Sequence, residues 1–300
     1  MNNRRLVPLL LAIIPLLLGG CGIKLEPAVV LERMAVAMSQ VKQVSVDGQI
    51  KLSGNSDTAI FNGLQSLSAL FSGRLDISSP SALRYLITLN LAGQGAEGNT
   101  KIGAEIRGLP DYTYFRVQEA QVPAGLPISL TPDNRWYKVK NPEPGAAEGN
   151  VLGGSNRLTD AEGLQLRALV SGSRLFTVQT VLGDETIKGV RAYHFAALVD
   201  ATALANLLDG IQAATNGKIK PNRESALKLA KDYTYDLWVS KNDYHLIKLV
   251  ARGNLSPAGQ SESMIELGLS RFDSPVSIVA PSEVKEFSLE SLLKSPLGQL

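Results

Sequence analysis

The hydrophobic and polar positions of this chain change period several times along its length. Apolar residues recur at helical spacing over 27–42, which predicts an amphipathic helix with Pro27 in its first turn. From 44 to 52 every second residue is apolar, which predicts a strand with one apolar face. Spacings of three and four residues return over 60–71 and predict a short helix inserted between two strands.

The rest of the chain reads as runs of strands interrupted by three helices. Helices are predicted over 160–170, after a capping box at Thr159, and after the capping residues Asp200 and Asn222. Because strands come in runs, the fold class is α+β with an antiparallel sheet. Strands are predicted at 73–78, 82–91, 100–107, 112–118, 136–140, 175–182, 189–199, 232–240, 244–253 and 261–272, with a last extended piece at 276–279.

Two glycine-containing segments are interpreted as turns. Residues 93–98 match the GxGxxG pattern by letter, but a dinucleotide site needs that pattern to open a helix within a βαβ unit. Here another alternating strand follows, so the segment is predicted to be a hairpin turn. Residues 183–185 are predicted to be the turn between strands 175–182 and 189–199.

The N-terminus has the pattern of a cleaved export signal. Arg4 and Arg5 precede a short apolar run, which ends in Leu18, Gly19 and Gly20 directly before Cys21. This arrangement resembles the lipobox of bacterial lipoproteins. The resemblance implies cleavage after Gly20 and lipidation of Cys21 with acyl chains such as palmitate.

Two other interpretations of this segment are an ordinary secretory signal and an N-terminal anchor helix with an incidental cysteine. The apolar run is interrupted by Pro8 and Pro15 and is shorter than the roughly 20 residues that cross a bilayer. Cys21 is also the only cysteine of the chain. We therefore expect residues 1–20 to be a lipoprotein signal peptide and 21–26 a lipidated tether.

Composition excludes several classes of function. The formal net charge is +2, and two of the arginines lie in the predicted signal peptide, so nothing indicates a nucleic-acid partner or a polybasic membrane contact. One cysteine cannot form an intramolecular disulfide or a thiolate metal cluster. His194 and His245 both lie within predicted strands without a metal-binding pattern, so a structural role is expected.

No catalytic constellation stands out in the sequence. There is no GxSxG motif, and the three Ser-x-x-Lys matches, at Ser39, Ser225 and Ser291, lack companion motifs. We therefore expect no enzyme activity, no cofactor and no metal. What remains is an apolar surplus on the strands, which fits either a closed core or a cavity for acyl chains.

Four segments resemble the LolA/LolB-like and LppX/LprG-like lipoproteins of bacterial envelopes. Residues 185–195 (ETIKGVRAYHF) resemble their I-x-G-x-x-x-Y-H turn, and 235–241 (YDLWVSK) their D-x-W-[VI]-[SD]-K strand. Residues 270–281 (SRFDSPVSIVAP) resemble their closing Y-x-x-P-V-x-I-x-A-P segment, and 135–139 (RWYKV) their W-Y-K piece. The similarity covers about 27–285, which is expected to form one domain, followed by a tail at 286–300.

The resemblance implies a strongly curved antiparallel half-barrel with helices against its concave face and a cavity that holds lipid. It implies a monomer on the extracytoplasmic side of a membrane, whose partner is a lipid or a lipidated client. The alternative is an envelope interaction or sensor module of the same fold with a filled core. Residues 55–72 and 121–155 depart from the family pattern. Candidate lipid-contacting residues are Ile50, Leu52, Leu75, Ile77, Ile87, Leu89, Ile102 and Ala104.

Overall fold

The computed structural model describes residues 25–54, 64–95, 98–122, 132–141, 158–254 and 261–287. Its four helices are α1 (Pro27–Gln40), α2 (Asp160–Gly172), α3 (Ala201–Ala214) and α4 (Arg223–Asp232). Its strands are β1 (Gln43–Gly54), β2 (Leu64–Asp76), β3 (Arg84–Gly95), β4 (Gly98–Gly108), β5 (Tyr112–Gln121), β6 (Trp136–Lys140), β7 (Phe176–Ile187), β8 (Val190–Val199), β9 (Tyr233–Ser240), β10 (Leu246–Asn254), β11 (Ser261–Ser270) and β12 (Val284–Glu286). The predicted signal peptide, with Leu18, Gly19, Gly20 and Cys21, lies outside the described residues.

The strands form a single twelve-stranded sheet with the order β12-β6-β5-β4-β3-β2-β1-β11-β10-β9-β8-β7. All neighbours are antiparallel except β12 and β6, which are parallel. The sheet is not closed into a barrel, so β12 and β7 are its edges. This architecture confirms the predicted fold class, an α+β half-barrel with helices on one face.

The helices begin where the sequence places capping side chains. Thr159 and Glu162 form a reciprocal capping box at the start of α2. The Asp200 carboxylate accepts hydrogen bonds from the first turn of α3, and the Asn222 side chain does the same for α4. Glu162 also accepts a hydrogen bond from Lys218, 2.8 Å away. That bond, together with the backbone N–H of Thr159, lowers the pKa of Glu162 to about 2.

Of the two buried apolar clusters in the described part of the chain, the larger lies where α1 covers strands β8 and β9. Val30, Leu31 and Met34 of α1 pack against Phe195, Ala197, Leu237 and Val239. We call these seven residues the α1 core. Several are completely inaccessible to solvent, among them Val30, Leu237 and Val239. This cluster identifies the face of the sheet that carries the helices.

The predicted helix over 60–71 is wrong for its described part. Residues from Leu64 onward are strand β2, which pairs with β1 on one side and β3 on the other. Leu64, Leu67 and Phe71 satisfy a helical period, but Leu67, Ala69 and Phe71 equally satisfy the period of a strand. The local sequence fits a helix and a strand almost equally well. Hydrogen bonding to β1 and β3 on the two sides makes this segment a strand.

The predicted turn at 183–185 is also wrong. Strand β7 continues through Gly183, which has φ +115° next to an irregularity in the β7–β8 pairing. A glycine at positive φ can mark a bulge as well as a turn. The turn lies instead at Lys188 and Gly189, with φ values of +48° and +85°. At the other end of the chain, 276–279 is not a strand, and the short β12 was not predicted.

Candidate functional site

One row of side chains connects the α1 core to the far strands of the sheet. Residues directly opposite each other in an antiparallel pair point to the same face, so the row follows from the pairing register. It begins at Leu237 in the α1 core and crosses eight strands on the helix-bearing face. Its members in order are Leu237, Leu249, Leu267, Gly48, Phe71, Leu89, Ala104 and Val117.

Parallel rows on either side of it are also apolar. One runs through Ile50, Ala69, Leu91 and Ile102, and another through Val46, Gly73, Ile87 and Ile106. We call the helix-bearing side of strands β1 to β5 the β1–β5 face. Its apolar members include Val46, Ile50, Leu52, Leu67, Phe71, Leu75, Ile87, Leu89, Leu91, Ile102, Ala104, Ile106, Phe115 and Val117.

Seven of the eight residues proposed from the sequence as lipid contacts lie together on this face. They are Ile50, Leu52, Leu75, Ile87, Leu89, Ile102 and Ala104. The eighth, Ile77, follows the last residue of β2. Its N–H donates to the Lys42 carbonyl, and its own carbonyl accepts a hydrogen bond from Arg167 of α2. Ile77 therefore lies at the end of the sheet, beside α2.

Burial changes along the row. Leu237 is completely buried under α1, whereas the side chains of the β1–β5 face are mostly half-buried. Val44 and Ala69 are the fully buried apolar residues among the described part of β1 to β5 on this side. The helix-bearing face is therefore apolar along the whole row. Its side chains are buried where α1 covers them, and they keep accessible surface on β1 to β5.

The remaining helices carry half-buried apolar stripes of their own. The four helices lie side by side in the order α1, α2, α3, α4. Helices α2 and α3 approach closely at Gly210, where a Cβ atom would come within 2.9 Å of Leu169. On α3, an apolar stripe is half-buried along its length and consists of Leu204, Leu207, Leu208 and Ile211. The helix layer therefore contains apolar side chains that packing between the helices does not bury completely.

The opposite face of the sheet carries a second buried cluster of Ala192, Trp238, Ile247 and Val250, and also a group of charged side chains. Glu105 is buried there and accepts hydrogen bonds from Arg107 and Arg116, at 3.0 and 2.6 Å. Burial alone would raise the pKa of Glu105, but the two guanidinium groups outweigh it and the pKa is lowered. Both guanidinium groups also lie over the Trp136 ring. This cluster ties β4, β5 and β6 together.

The two histidines also lie in packed surroundings on strands or their ends. His194 stacks on Trp238 with ring centroids 4.1 Å apart, and its Nδ1 lies 2.7 Å from Glu185. His245 stacks on Phe272 at the same centroid distance. Among the described residues, no group of three or more His, Cys, Asp or Glu side chains is arranged so that it could hold a metal ion. None of the described helices is long and apolar enough to cross a bilayer.

Sequence reasoning missed part of the β1–β5 face. Leu67 and Phe71 were assigned to a helix, although alternation from Leu67 to Leu75 carried the strand signal. Phe71 occupies a central position, because its ring lies over Gly48, where a Cβ atom would come within 2.6 Å of Phe71 Cζ. The aromatic ring thus fills the space left by the missing side chain.

Comparisons with known proteins give similarities of fold. No family model and no curated protein sequence matches this chain. The structure is similar to LprF from Mycobacterium bovis, with 14% identity and a TM-score of 0.45 over 85% of this chain and 96% of that chain. It is similar to the Mycobacterium tuberculosis lipoprotein LppX, with 14% identity and a TM-score of 0.34 over 85% of this chain and 100% of that chain.

A LolA superfamily protein from Nitrosomonas europaea is a third similar structure. It has 10% identity and a TM-score of 0.23 over 84% of this chain and 95% of that chain. At such identities the likeness concerns the fold alone.

Proposed function

We propose that this chain is a non-catalytic lipoprotein of the cell envelope that binds an acyl chain against its β1–β5 face. The observation that carries the proposal is the change in burial along one continuous apolar row. Under α1 the row is closed, and on β1 to β5 it remains half-buried. Apolar side chains that are collected on one face but keep accessible surface are typical of the wall of a binding site.

The chemistry of the face selects hydrocarbon rather than a particular head group. From Leu237 to Val117 the central row contains only apolar residues and one glycine. Each methylene group moved from water onto such a surface contributes about 0.8 kcal/mol. A long acyl chain therefore binds through burial alone, and the head group adds little selectivity.

The second half of the proposal is a membrane anchor at Cys21. The lipobox resemblance supports it, since a leucine and two glycines precede the cysteine. Stable anchoring needs more than one acyl chain, which a diacylglyceryl group on the thiol supplies. Cys21 lies only six residues before the first residue of α1, so the tether keeps the domain close to the bilayer.

Native mass spectrometry of residues 22–300 tests acyl binding without the anchor. We expect a co-purified mass that corresponds to one lipid, or uptake of added diacyl phospholipid. A protein that stays free of lipid under both conditions would favour the filled-core interaction module instead.

A matched pair of substitutions locates the site. Leu89→Glu places a charge in the central row, whereas Leu70→Glu makes the same change on the opposite face, where Leu70 is 52% exposed. We expect Leu89→Glu to abolish lipid uptake, because a carboxylate on this wall would lose its hydration. Leu70→Glu should bind as the unchanged protein does. If the folded Leu89→Glu protein still takes up lipid, the β1–β5 face is not the site.

A further inference from the structure

A second apolar space lies at the edge of the helix layer, between α1 and α2. It has a volume of about 320 Å³ and is lined by both helices, by residues 173–175, by Phe176 at the start of β7 and by Leu246 at the start of β10. We call it the α1–α2 cleft. Its apolar lining includes Leu31, Met34, Met38, Val170, Phe176 and Leu246.

Size and lining suit a hydrocarbon chain. An apolar cavity of about 150 Å³ is enough to bind benzene, and the cleft is roughly twice as large. Met34 and Met38 provide flexible, polarisable walls that adapt to an irregular occupant. Val29 and Val170 stand at the cleft with 36% and 37% of their surface exposed, so the apolar lining continues to the outside.

A weak polar contact spans the cleft. Arg174 and Glu32 approach to 3.7 Å, and both side chains are largely exposed. Exposed ion pairs of this kind contribute about 0–1 kcal/mol. The cleft can therefore admit a chain without the loss of a strong interaction.

Some of the residues that line the cleft lie close in sequence to Cys21, and this proximity indicates the occupant. Leu25 is the first described residue, and Cys21 lies four residues before it. Four extended residues span at most about 14 Å. Ala28 and Val29, in the first turn of α1, line the cleft and follow Leu25 by three and four residues. An acyl chain attached to Cys21 thus begins within reach of the cleft.

We propose that the α1–α2 cleft holds one of the acyl chains attached to this protein's own Cys21. The inference rests on the proposed lipidation of that cysteine. A tethered chain has an effective concentration in the millimolar range, so it outcompetes free lipid at this place. With one chain in the cleft and the others in the bilayer, the side of the molecule formed by α1 and α2 faces the membrane.

Photo-crosslinking of the full chain in a bacterium that lipidates it tests this proposal. Val170→p-benzoylphenylalanine places the reactive group in the cleft, and Phe176→p-benzoylphenylalanine places it deeper, on β7. Leu164→p-benzoylphenylalanine is the matched control, since Leu164 is 66% exposed on the same helix as Val170 and does not line the cleft. After irradiation, mass spectrometry identifies what is joined to each labelled peptide, and circular dichroism shows that each variant is folded.

We expect adducts between the acylated Cys21 peptide and the labels at 170 and 176. The control label at 164 should form no such adduct. The proposal is overturned by adducts with free phospholipid alone, by adducts between two copies of the chain, or by no adduct at either cleft position. The mass of the Cys21 peptide in the same digest is read separately. An unmodified Cys21 would refute the anchor and this inference together, but it would leave acyl binding by the β1–β5 face untouched.

Discussion

Three leucines that differ in burial provide a direct test of the proposed difference between the α1 core and the β1–β5 face. Leu237 is completely buried, Leu89 is half-buried, and Leu70 is 52% exposed on the opposite face. All three lie in strands of the same sheet, and each can be changed to alanine. The substitution removes the same atoms at each position, so the free energy of unfolding reports how closed each environment is.

The expected costs follow from burial. Leu237→Ala removes a fully packed side chain and leaves a cavity beneath α1, which costs about 3–5 kcal/mol. Complete burial of a leucine contributes about 1.5–3 kcal/mol, so the half-buried Leu89 should lose roughly 1 kcal/mol when it becomes alanine. Leu70→Ala, away from any packed environment, should stay within about 0.5 kcal/mol of the unchanged protein.

Urea unfolding of residues 22–300, followed by far-ultraviolet circular dichroism, measures these differences. The denaturant slope must stay constant across the series for the comparison to hold. If Leu89→Ala costs as much as Leu237→Ala, the β1–β5 face is a closed core. That result would refute the reasoning and favour the filled-core module.

Three further predictions concern the polar contacts and one glycine. Because its folded pKa of about 2 lies below the ordinary 4.5, Glu162 adds stability that is present above about pH 4.5 and lost towards pH 2. Glu162→Gln should therefore flatten the fall of the urea midpoint over this interval. Glu105→Gln should cost about 1.5–3 kcal/mol in urea unfolding, since two partly buried arginine side chains lose their charge partner. Gly48→Ala should lower the thermal midpoint through a cost of about 1–3 kcal/mol, because its Cβ would clash with the Glu266 carbonyl oxygen. An unchanged pH dependence in Glu162→Gln, or an unchanged midpoint in either of the other two variants, contradicts the contact on which the prediction rests.

The parts of the fold that were predictable have local causes. Helix α1 follows from its apolar period, and helices α2, α3 and α4 start at capping side chains that the sequence displays. The strand β6 was predicted with its observed bounds, since Pro132 and Pro142 lie just outside it. These features need no knowledge of the partner strands.

The features that were not predictable depend on long-range pairing. Residues 64–71 fit two periods equally, and β1 and β3 on either side make them a strand. Gly183 could end a strand or bulge within one, and its pairing with β8 made it a bulge. Alternation within each strand predicted that Ile50, Leu89 and Ile102 point inward, and the pairing registers place them on one face. Whether that face is closed depends on how much of the sheet α1 covers. The alternation of apolar residues along a strand carries no information on this.

Near the middle of the sheet, the first strand, β1, pairs with β11, one of the last strands in the sequence. Strand β1 lies between β2 and β11, and Gln49 donates a hydrogen bond to Glu266, 217 positions later. The strands β1 to β6 can assemble as a meander, but β1 keeps an unpaired edge until β11 has been made and delivered. Such an edge is a template for pairing with other chains. For a chain that emerges N-terminus first, completion of this fold is therefore a late and slow event. A shortened chain that lacks β11 would leave the middle of the sheet open to aggregation rather than lose a peripheral strand.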